Sequence, residues 1–307
     1  MRKLYLNKAN EDWILDRLRK EWYSNQRAIS SKSIFLSDII WICSPWTWKK
    51  IPKRKLKRKK VICSIYHIDE VKFTDKDLKE FQERDQYVDF YHVISENSKK
   101  QLEKYTDKLI ISIPFWADSS KWFNIEDKKS LRHKYKIPED FFIIGSFQRD
   151  TEGSDLTSPK LSKGPDRFIK IVKKISEDKK IHIALSGRRR NFVINELNKL
   201  DIPFSYFEMV NQETLNELYN CLDLYIVASR VEGGPQSIIE CALSKTPIIS
   251  TNVGVAPEIL SSESIFNMDN YLNAKPNVNF AYNSALNLSI PKGFEKFVEM
   301  FGLDYEN

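Results

Sequence analysis

Short apolar runs rich in β-forming residues alternate along the C-terminal half of the chain with longer stretches of helical period. The runs are FFIIGSF (141–147), IHIALSG (181–187), FSYFEMV (204–210), LYIVASR (224–230) and TPIIST (246–251). Their length and β-branched or aromatic content predict buried strands. Between the first two, PDRFIKIVKKISED (165–178) puts Phe168, Ile171, Val172 and Ile175 on one side of a helical period, which predicts an amphipathic helix. Asn211 reads as the N-cap of another helix, with Glu213 in its first turn and Leu215, Leu218 and Cys221 turned inward. Strand then helix, repeated, implies a parallel sheet covered on both faces.

The N-terminal half follows the same rule less regularly. Apolar runs at RKLYLN (2–7), SDIIWICS (37–44), KVICSIYHI (60–68), DFYHVIS (89–95) and KLIISIP (108–114) flank helical stretches such as ANEDWILDRLRKEWY (9–23) and ENSKKQLEKY (96–105). The alternation breaks in IPFWADSSKWFNIEDKKS (113–130), which places a boundary between 115 and 135. The expectation is an α/β chain of two doubly wound, Rossmann-like domains, residues 1–118 and 119–307, with the last helix packing back on the first domain.

Composition is consistent with this picture. The chain has 307 residues, 41% hydrophobic and 30% charged, as expected of a soluble globular protein of about two domains. Its start, MRKLYLNKANEDW, lacks the apolar stretch of a signal peptide, and no run approaches the ~18 apolar residues of a membrane span. A cytoplasmic protein is expected. Cys43, Cys63, Cys221 and Cys241 are widely separated, with no CxxC and no histidine at metal-ligand spacing, and read as reduced core residues.

The net charge of +7 is local. Residues 49–60, KKIPKRKLKRKK, carry nine Lys or Arg and no acid; taking these nine from the 49 basic residues leaves 40 against 42 acidic ones, a balance of −2. Trp46 and Trp48 stand just before the run, side chains suited to a bilayer interface. The segment reads either as a contact with an anionic membrane surface, where each cation contributes up to ~1 kcal/mol, or as a solvated loop between two strands. Nucleic acid is a weaker reading, because no recognised binding fold accompanies the charge.

Glycine placement directs the search for chemistry to the C-terminal half. None of the nine glycines precedes Gly145, and Gly145, Gly187, Gly233, Gly234 and Gly254 fall near strand ends. In an open parallel sheet ligands bind outside the carboxyl ends of the strands. In SRVEGGPQSIIECALSK (229–245) a strand gives way to a loop holding Glu232, Gly233 and Gly234, and Pro235 suits the first helical position. The helix that follows directs its free N–H groups and positive dipole end at whatever lies above the glycines, an anion-binding arrangement. Glu240 falls about one and a half turns into that helix while Glu232 stays in the loop. Carboxylates only accept, and the donors that suit two of them beside an anion are ribose or sugar hydroxyls. Taken singly, pairing of Glu240 with a lysine and a plain Gly-Gly turn are simpler readings; the combined spacing favours a ligand.

The residues resemble a family at this point. Glu232 to Glu240 matches the E-x7-E element of retaining nucleotide-sugar glycosyltransferases of the GT-B architecture, most like family 4. The resemblance continues through SKTPIISTNVGVAPEIL (244–260), LNELYNCLDLYIVASR (215–230), SKGPDRFIKIV (162–172) and DFYHVISENSKKQLEKY (89–105). It implies two Rossmann-like domains facing a cleft, the first on the acceptor side and the second binding the donor. It also implies that Glu240 accepts from the ribose hydroxyls and Glu232 from those of the transferred sugar. Backbone N–H groups around Gly233, Gly234, Pro235 and Gln236 would face sugar and diphosphate. Lys163 and an arginine after the strand at Gly145 would neutralise the diphosphate, and His67 is similar to the histidine that touches the donor sugar from the other domain.

The chain departs from that pattern in several places. The arginine usually follows the glycine directly, whereas GSFQRDTEGSDLTSPKLSKG (145–164) puts Arg149 four positions on, and Arg188, Arg189 and Arg190 after Gly187 compete for phosphate. A glycine-rich loop after the first strand is missing, IPFWADSSKWF (113–123) lacks the usual Asn-Gly, and the N-terminal domain is short for the architecture. The one Asp-x-Asp, Asp75-Lys76-Asp77, opens an expected helix and reads as a cap. No metal and no cofactor are therefore expected, the nucleotide-diphosphate sugar being the donor substrate. The leading reading is a retaining hexosyltransferase acting on a glycan or lipid-linked acceptor, peripheral at the membrane. An epimerase or phosphorolytic enzyme on the same scaffold, and a non-enzymatic module binding membrane or nucleic acid through residues 49–60, stay open.

Overall fold

The computed structural model describes residues 2–10, 14–154 and 156–303. They divide into two compact units. One comprises the described residues up to Phe115 together with those from Pro291 onward, and the other is Trp116–Ile290.

The first unit holds a five-stranded parallel sheet in sequence order: β1 (Leu4–Leu6), β2 (Ile39–Ile42), β3 (Lys60–Ile65), β4 (Phe90–Val93) and β5 (Ile110–Ser112). On one face Ile40, Ile42, Val61, Cys63, Tyr91 and Val93 pack against Trp48, Leu56, Phe81 and Leu102. On the other face the helix Glu295–Phe301 brings Phe297 and Phe301 within 5.5 and 5.0 Å of Trp41, and Trp22 lies 5.8 Å from the same ring. This C-terminal helix thus completes the core of the first unit.

A buried polar chain crosses that second face. Trp41 Nε1 donates to Ser64 Oγ at 2.8 Å, Ser64 Oγ meets His92 Nδ1 at 2.8 Å, and His92 Nε2 meets the Ile113 carbonyl at 2.8 Å. The carbonyl can only accept, so Nε2 carries the proton and Nδ1 accepts from Ser64. Burial pushes the imidazole down to about 4.

The second unit holds a six-stranded parallel sheet made of β6 (Phe142–Ser146), β7 (Ile181–Ser186), β8 (Phe204–Phe207), β9 (Leu224–Val227), β10 (Ile248–Thr251) and β11 (Ile265–Phe266). Its order is β11-β10-β9-β6-β7-β8, so the direction of winding reverses between β6 and β9. Such a reversal splays apart the loops leaving the two central strands and opens a crevice at their carboxyl ends. Helices cover both faces: Phe168, Ile171 and Val172 with Val193 and Leu197 on one, Leu218, Tyr219, Ile238, Ile239 and Leu243 on the other.

Asn211 caps the helix Gln212–Asn220, its side chain accepting from Thr214 N, and the amphipathic helix runs Pro165–Ser176. Asp77 closes a capping box with Thr74. The strands are shorter than the apolar runs that announce them. LYIVASR ends as a strand at Val227 because Ala228 and Ser229 already serve the loop, and the helix within ANEDWILDRLRKEWY is Ile14–Asn25, residues 11–13 lying outside the described ones. The basic run is not a plain loop: it finishes a short turn, Pro45–Lys50, and forms the helix Lys53–Leu56, held by the buried Leu56. Trp48, expected at an interface, is only 1% exposed and packs in the core. The four cysteines are free and buried. Among the described residues no helix is long and apolar enough to cross a membrane.

Candidate functional site

Two loops meet at the carboxyl ends of β6 and β9. The first, residues 147–164, makes an excursion closed by the bridge between Thr151 and Pro159 and returns as the turn Leu161–Lys163. Gly164 ends that turn at φ +63°, and a Cβ there would stand 1.9 Å from the Ala228 carbonyl oxygen. Only glycine lets the turn lie flat on the end of β9. The second loop docks on it in return, Arg230 N and Val231 N donating to the Ser162 carbonyl at 2.8 and 3.1 Å. Arg230 also grips Asp166 with two bonds of 2.7 and 2.6 Å, so this arginine is a structural clamp.

The charged centre lies between these loops. Lys163 Nζ pairs with Glu232 Oε1 at 2.5 Å, and Ser229 Oγ donates to the same oxygen at 3.1 Å. The Glu232 side chain is only 7% exposed and that of Lys163 25%. Lys160 is half-buried near Lys163, Arg149 and Glu232; burial and then the two neighbouring cations push its ammonium below the ordinary lysine value. Lys160, Lys163 and Arg149 face the two carboxylates Glu232 and Glu152 here, which leaves one positive charge in excess for an anionic ligand to neutralise.

The double glycine has a physical account here. Gly254, after β10, adopts φ +49°, and a Cβ on it would lie 2.6 Å from the Gly233 carbonyl oxygen and 3.0 Å from Gly234 Cα. The Gly233–Gly234 backbone is thus overlaid closely by the next loop, and side chains are kept out where the two loops touch. Pro235 is the N-cap rather than the first helical residue, with ψ 112°. Its carbonyl accepts from Ile238 N at 3.0 Å and starts the helix Gln236–Leu243. In the first turn Gln236 Oε1 is buried without a hydrogen-bond partner. Glu240, 5% exposed, accepts from the Tyr219 hydroxyl at 2.9 Å. Tyr219, Phe147 and Tyr225 form an aromatic cluster beside it, with ring centroids 5.0 to 5.5 Å apart.

The expected site residues therefore divide. Lys163, Glu232, Gly233, Gly234, Pro235 and Gln236 come together, with Arg149 among the charges around Lys160. Arg149 Nε donates to the Thr151 carbonyl at 2.7 Å. Gly145 lies inside β6, where a Cβ would stand 2.2 Å from Leu222 Cδ1, so its bareness makes room for Leu222. Arg190 is a correction as a competitor for phosphate, being fully buried, paired with Asp150 at 3.1 Å and bonded to Ser146 Oγ at 3.1 Å. Asp150 in turn accepts from the first N–H groups of the helix Asn191–Lys199, so this pair holds the loops after β6 and β7 together. Arg189 reaches the Gly153 carbonyl, and Arg188, next to Gly187 at the end of β7, is exposed. His67 is exposed in the first unit, beyond the end of β3. Lys160, Ser229 and Tyr219 escaped the sequence reading. For Lys160 the signal was present, a lysine three positions ahead of Lys163 across a turn.

Residues 156–279 match the family described as Glycosyl transferases group 1, a span holding Lys160, Lys163, Glu232 and Glu240. No curated protein sequence matches the chain. Among solved structures, HepE of Anabaena in complex with UDP and glucose is similar at TM-score 0.75 and 12% identity, over 98% of this chain and 99% of that one. Sucrose-phosphate synthase from Thermosynechococcus elongatus is similar at 0.68 and 13%, over 92% and 74%, and a glycosyltransferase from Rickettsia africae at 0.66 and 18%, over 96% and 82%. The fold is that of GT-B glycosyltransferases, two parallel α/β sheets, with the sequence likeness to group 1 glycosyl transferases running through the part of the second unit that holds the charged centre.

Proposed function

We propose that the chain is a retaining hexosyltransferase that takes its sugar from a nucleotide diphosphate and passes it to a glycan or lipid-linked acceptor. The observation that carries this reading is the arrangement at the β6/β9 crevice: Lys163 and Glu232 paired in the mouth, Glu240 deeper on the helix that starts at the double glycine, and Lys160 and Arg149 alongside. The match of residues 156–279 supports it, as do the structural neighbours solved with UDP and UDP-glucose, which make uridine diphosphate the first candidate.

In this reading Glu240 accepts from the ribose hydroxyls while keeping its bond to Tyr219. Glu232 leaves Lys163 to accept from hydroxyls of the sugar. As the bond from the sugar to the diphosphate breaks, negative charge grows on the departing oxygen, and Lys163, Lys160, Arg149 and the N–H groups at Gln236 stabilise it without further rearrangement. Positive charge supplied by side chains makes the transfer metal-independent in this proposal. The first unit, residues 1–118 of the sequence reading, serves the acceptor, and residues 49–60 attach the protein peripherally to an anionic membrane. Nucleotide binding by the wild-type chain and by Glu240→Gln tests the donor site. Equal affinity in the two, with the variant folded, would remove Glu240 from the site.

A further inference from the structure

The basic run does not stand alone on the surface. Phe35 and Leu36, in the turn Ile34–Leu36, are 72% and 73% exposed, although a large apolar side chain ordinarily leaves water. Lys55 Nζ sits 4.0 Å above the Phe35 ring, and Lys59 Nζ reaches the Ser37 carbonyl. The helix Lys53–Leu56 and the turn with Phe35 are thereby fastened into one surface. Lys53, Arg54, Lys57 and Arg58 stand exposed around it, and no ion pair to residues 53–59 is present among the described residues. Lys49 differs, since it faces Glu80 and Glu83. Elsewhere in the first unit Lys32, Arg19, Lys20 and Arg27 line a depression of about 690 Å³.

Topology sets where this surface lies. The Phe35 turn precedes β2, the helix Lys53–Leu56 precedes β3, and Ile39 pairs with Lys60 in parallel register. Both elements therefore lie at the amino ends of the strands, away from the carboxyl ends where a parallel sheet binds its ligands.

We infer that Phe35 and Leu36 are the membrane anchors of this protein, inserted among the acyl chains of an anionic bilayer while Lys53, Arg54, Lys57 and Arg58 meet the headgroup phosphates. The inference deepens the membrane attachment proposed above and rests on it, replacing the tryptophans that the sequence suggested. An apolar pair ringed by unpaired cations complements a surface that is hydrocarbon below and negative above. Nucleic acid offers negative charge but nothing that gains from Leu36.

The test is sedimentation of the full chain with vesicles of phosphatidylglycerol and phosphatidylcholine in equal parts, and with phosphatidylcholine alone. The wild type sediments with the anionic vesicles only. Phe35→Ser with Leu36→Ser weakens that binding by roughly tenfold, and replacing Lys53, Arg54, Lys57 and Arg58 by Gln weakens it by more than about a hundredfold. Trp46→Ser leaves it unchanged. Circular dichroism and UDP affinity like those of the wild type show that the variants remain folded. Undiminished vesicle binding by the Phe35/Leu36 variant overturns the anchor assignment while leaving membrane attachment standing. Absence of wild-type binding overturns both, and tight binding of single-stranded RNA in its place assigns the surface to nucleic acid.

Discussion

Lys163 and Glu232, 69 residues apart in sequence, form an ion pair at the carboxyl ends of the two central strands of the second sheet. The pair joins the loop after β6 to the loop after β9. In the proposed function its two members part when donor binds, one to the diphosphate and one to the sugar. Lys163→Ala should weaken UDP binding by roughly 10- to 150-fold, the loss of a charge-assisted bond worth about 1.5–3 kcal/mol. Glu232→Gln should leave UDP affinity within about threefold of wild type but abolish any gain of the UDP-sugar over UDP. Calorimetric titration of both ligands into both variants checks the division of labour, and equal losses for the two ligands in Glu232→Gln would contradict it.

Glu240 has a partner inside the protein, which separates two substitutions that look alike. Glu240→Ala leaves the Tyr219 hydroxyl buried without its acceptor, which should cost about 1–3 kcal/mol of stability in addition to nucleotide affinity. Glu240→Gln keeps a carbonyl oxygen for Tyr219, so it should unfold in urea near the wild-type midpoint and still lose nucleotide affinity. A Glu240→Gln protein that binds as tightly as wild type reduces Glu240 to a packing partner of Tyr219.

Two glycines with one backbone conformation provide an internal comparison. Gly164 and Gly302 both sit at φ +63°, but a Cβ on Gly164 meets the Ala228 carbonyl at 1.9 Å whereas one on Gly302 meets nothing within 4 Å. Gly302→Ala should cost about 1–2 kcal/mol for the left-handed conformation alone. Gly164→Ala should cost a further ~1–3 kcal/mol, because backbone must move to admit the methyl group. Denaturant unfolding of the two variants measures the difference, and equal losses would show that the turn does not lie against β9 as described.

Strand-helix alternation announced both sheets because buried parallel strands carry continuous apolar runs, and Asn211 caps its helix as local chemistry dictates, whereas the cap read at Asp75-Lys76-Asp77 is Thr74, with Asp77 closing the box. The glycines were visible as positions, but their causes were not. Gly145 answers to Leu222 and Gly254 to the Gly233 carbonyl, partners far off in sequence. Arg190 resembles its neighbours Arg188 and Arg189 as a letter, and only the fold buries it beside Asp150. Trp48 was misjudged for a related reason, since its basic neighbours suggested a surface while the turn Pro45–Lys50 directs its ring inward.

His92 predicts an acid response. Its folded value lies near 4 against an ordinary 6.5, so the unfolded chain binds more protons between those values. Stability from this group is therefore complete above about pH 6.5 and declines as pH falls toward about 4, by up to about 3 kcal/mol. His92→Gln should be less stable at neutral pH and should show a shallower loss across that window. Urea midpoints from pH 7 down to about 4 report both, and an unchanged slope in the variant would assign the acid sensitivity to other groups.

Calorimetric titration of UDP, GDP, ADP and CMP into the purified chain, without added metal, decides whether the crevice at β6 and β9 binds a nucleoside diphosphate. The expected result is micromolar, selective binding of one diphosphate, UDP first among them, weakened in Lys163→Ala and in Glu240→Gln. A folded chain that binds none of the four would contradict it.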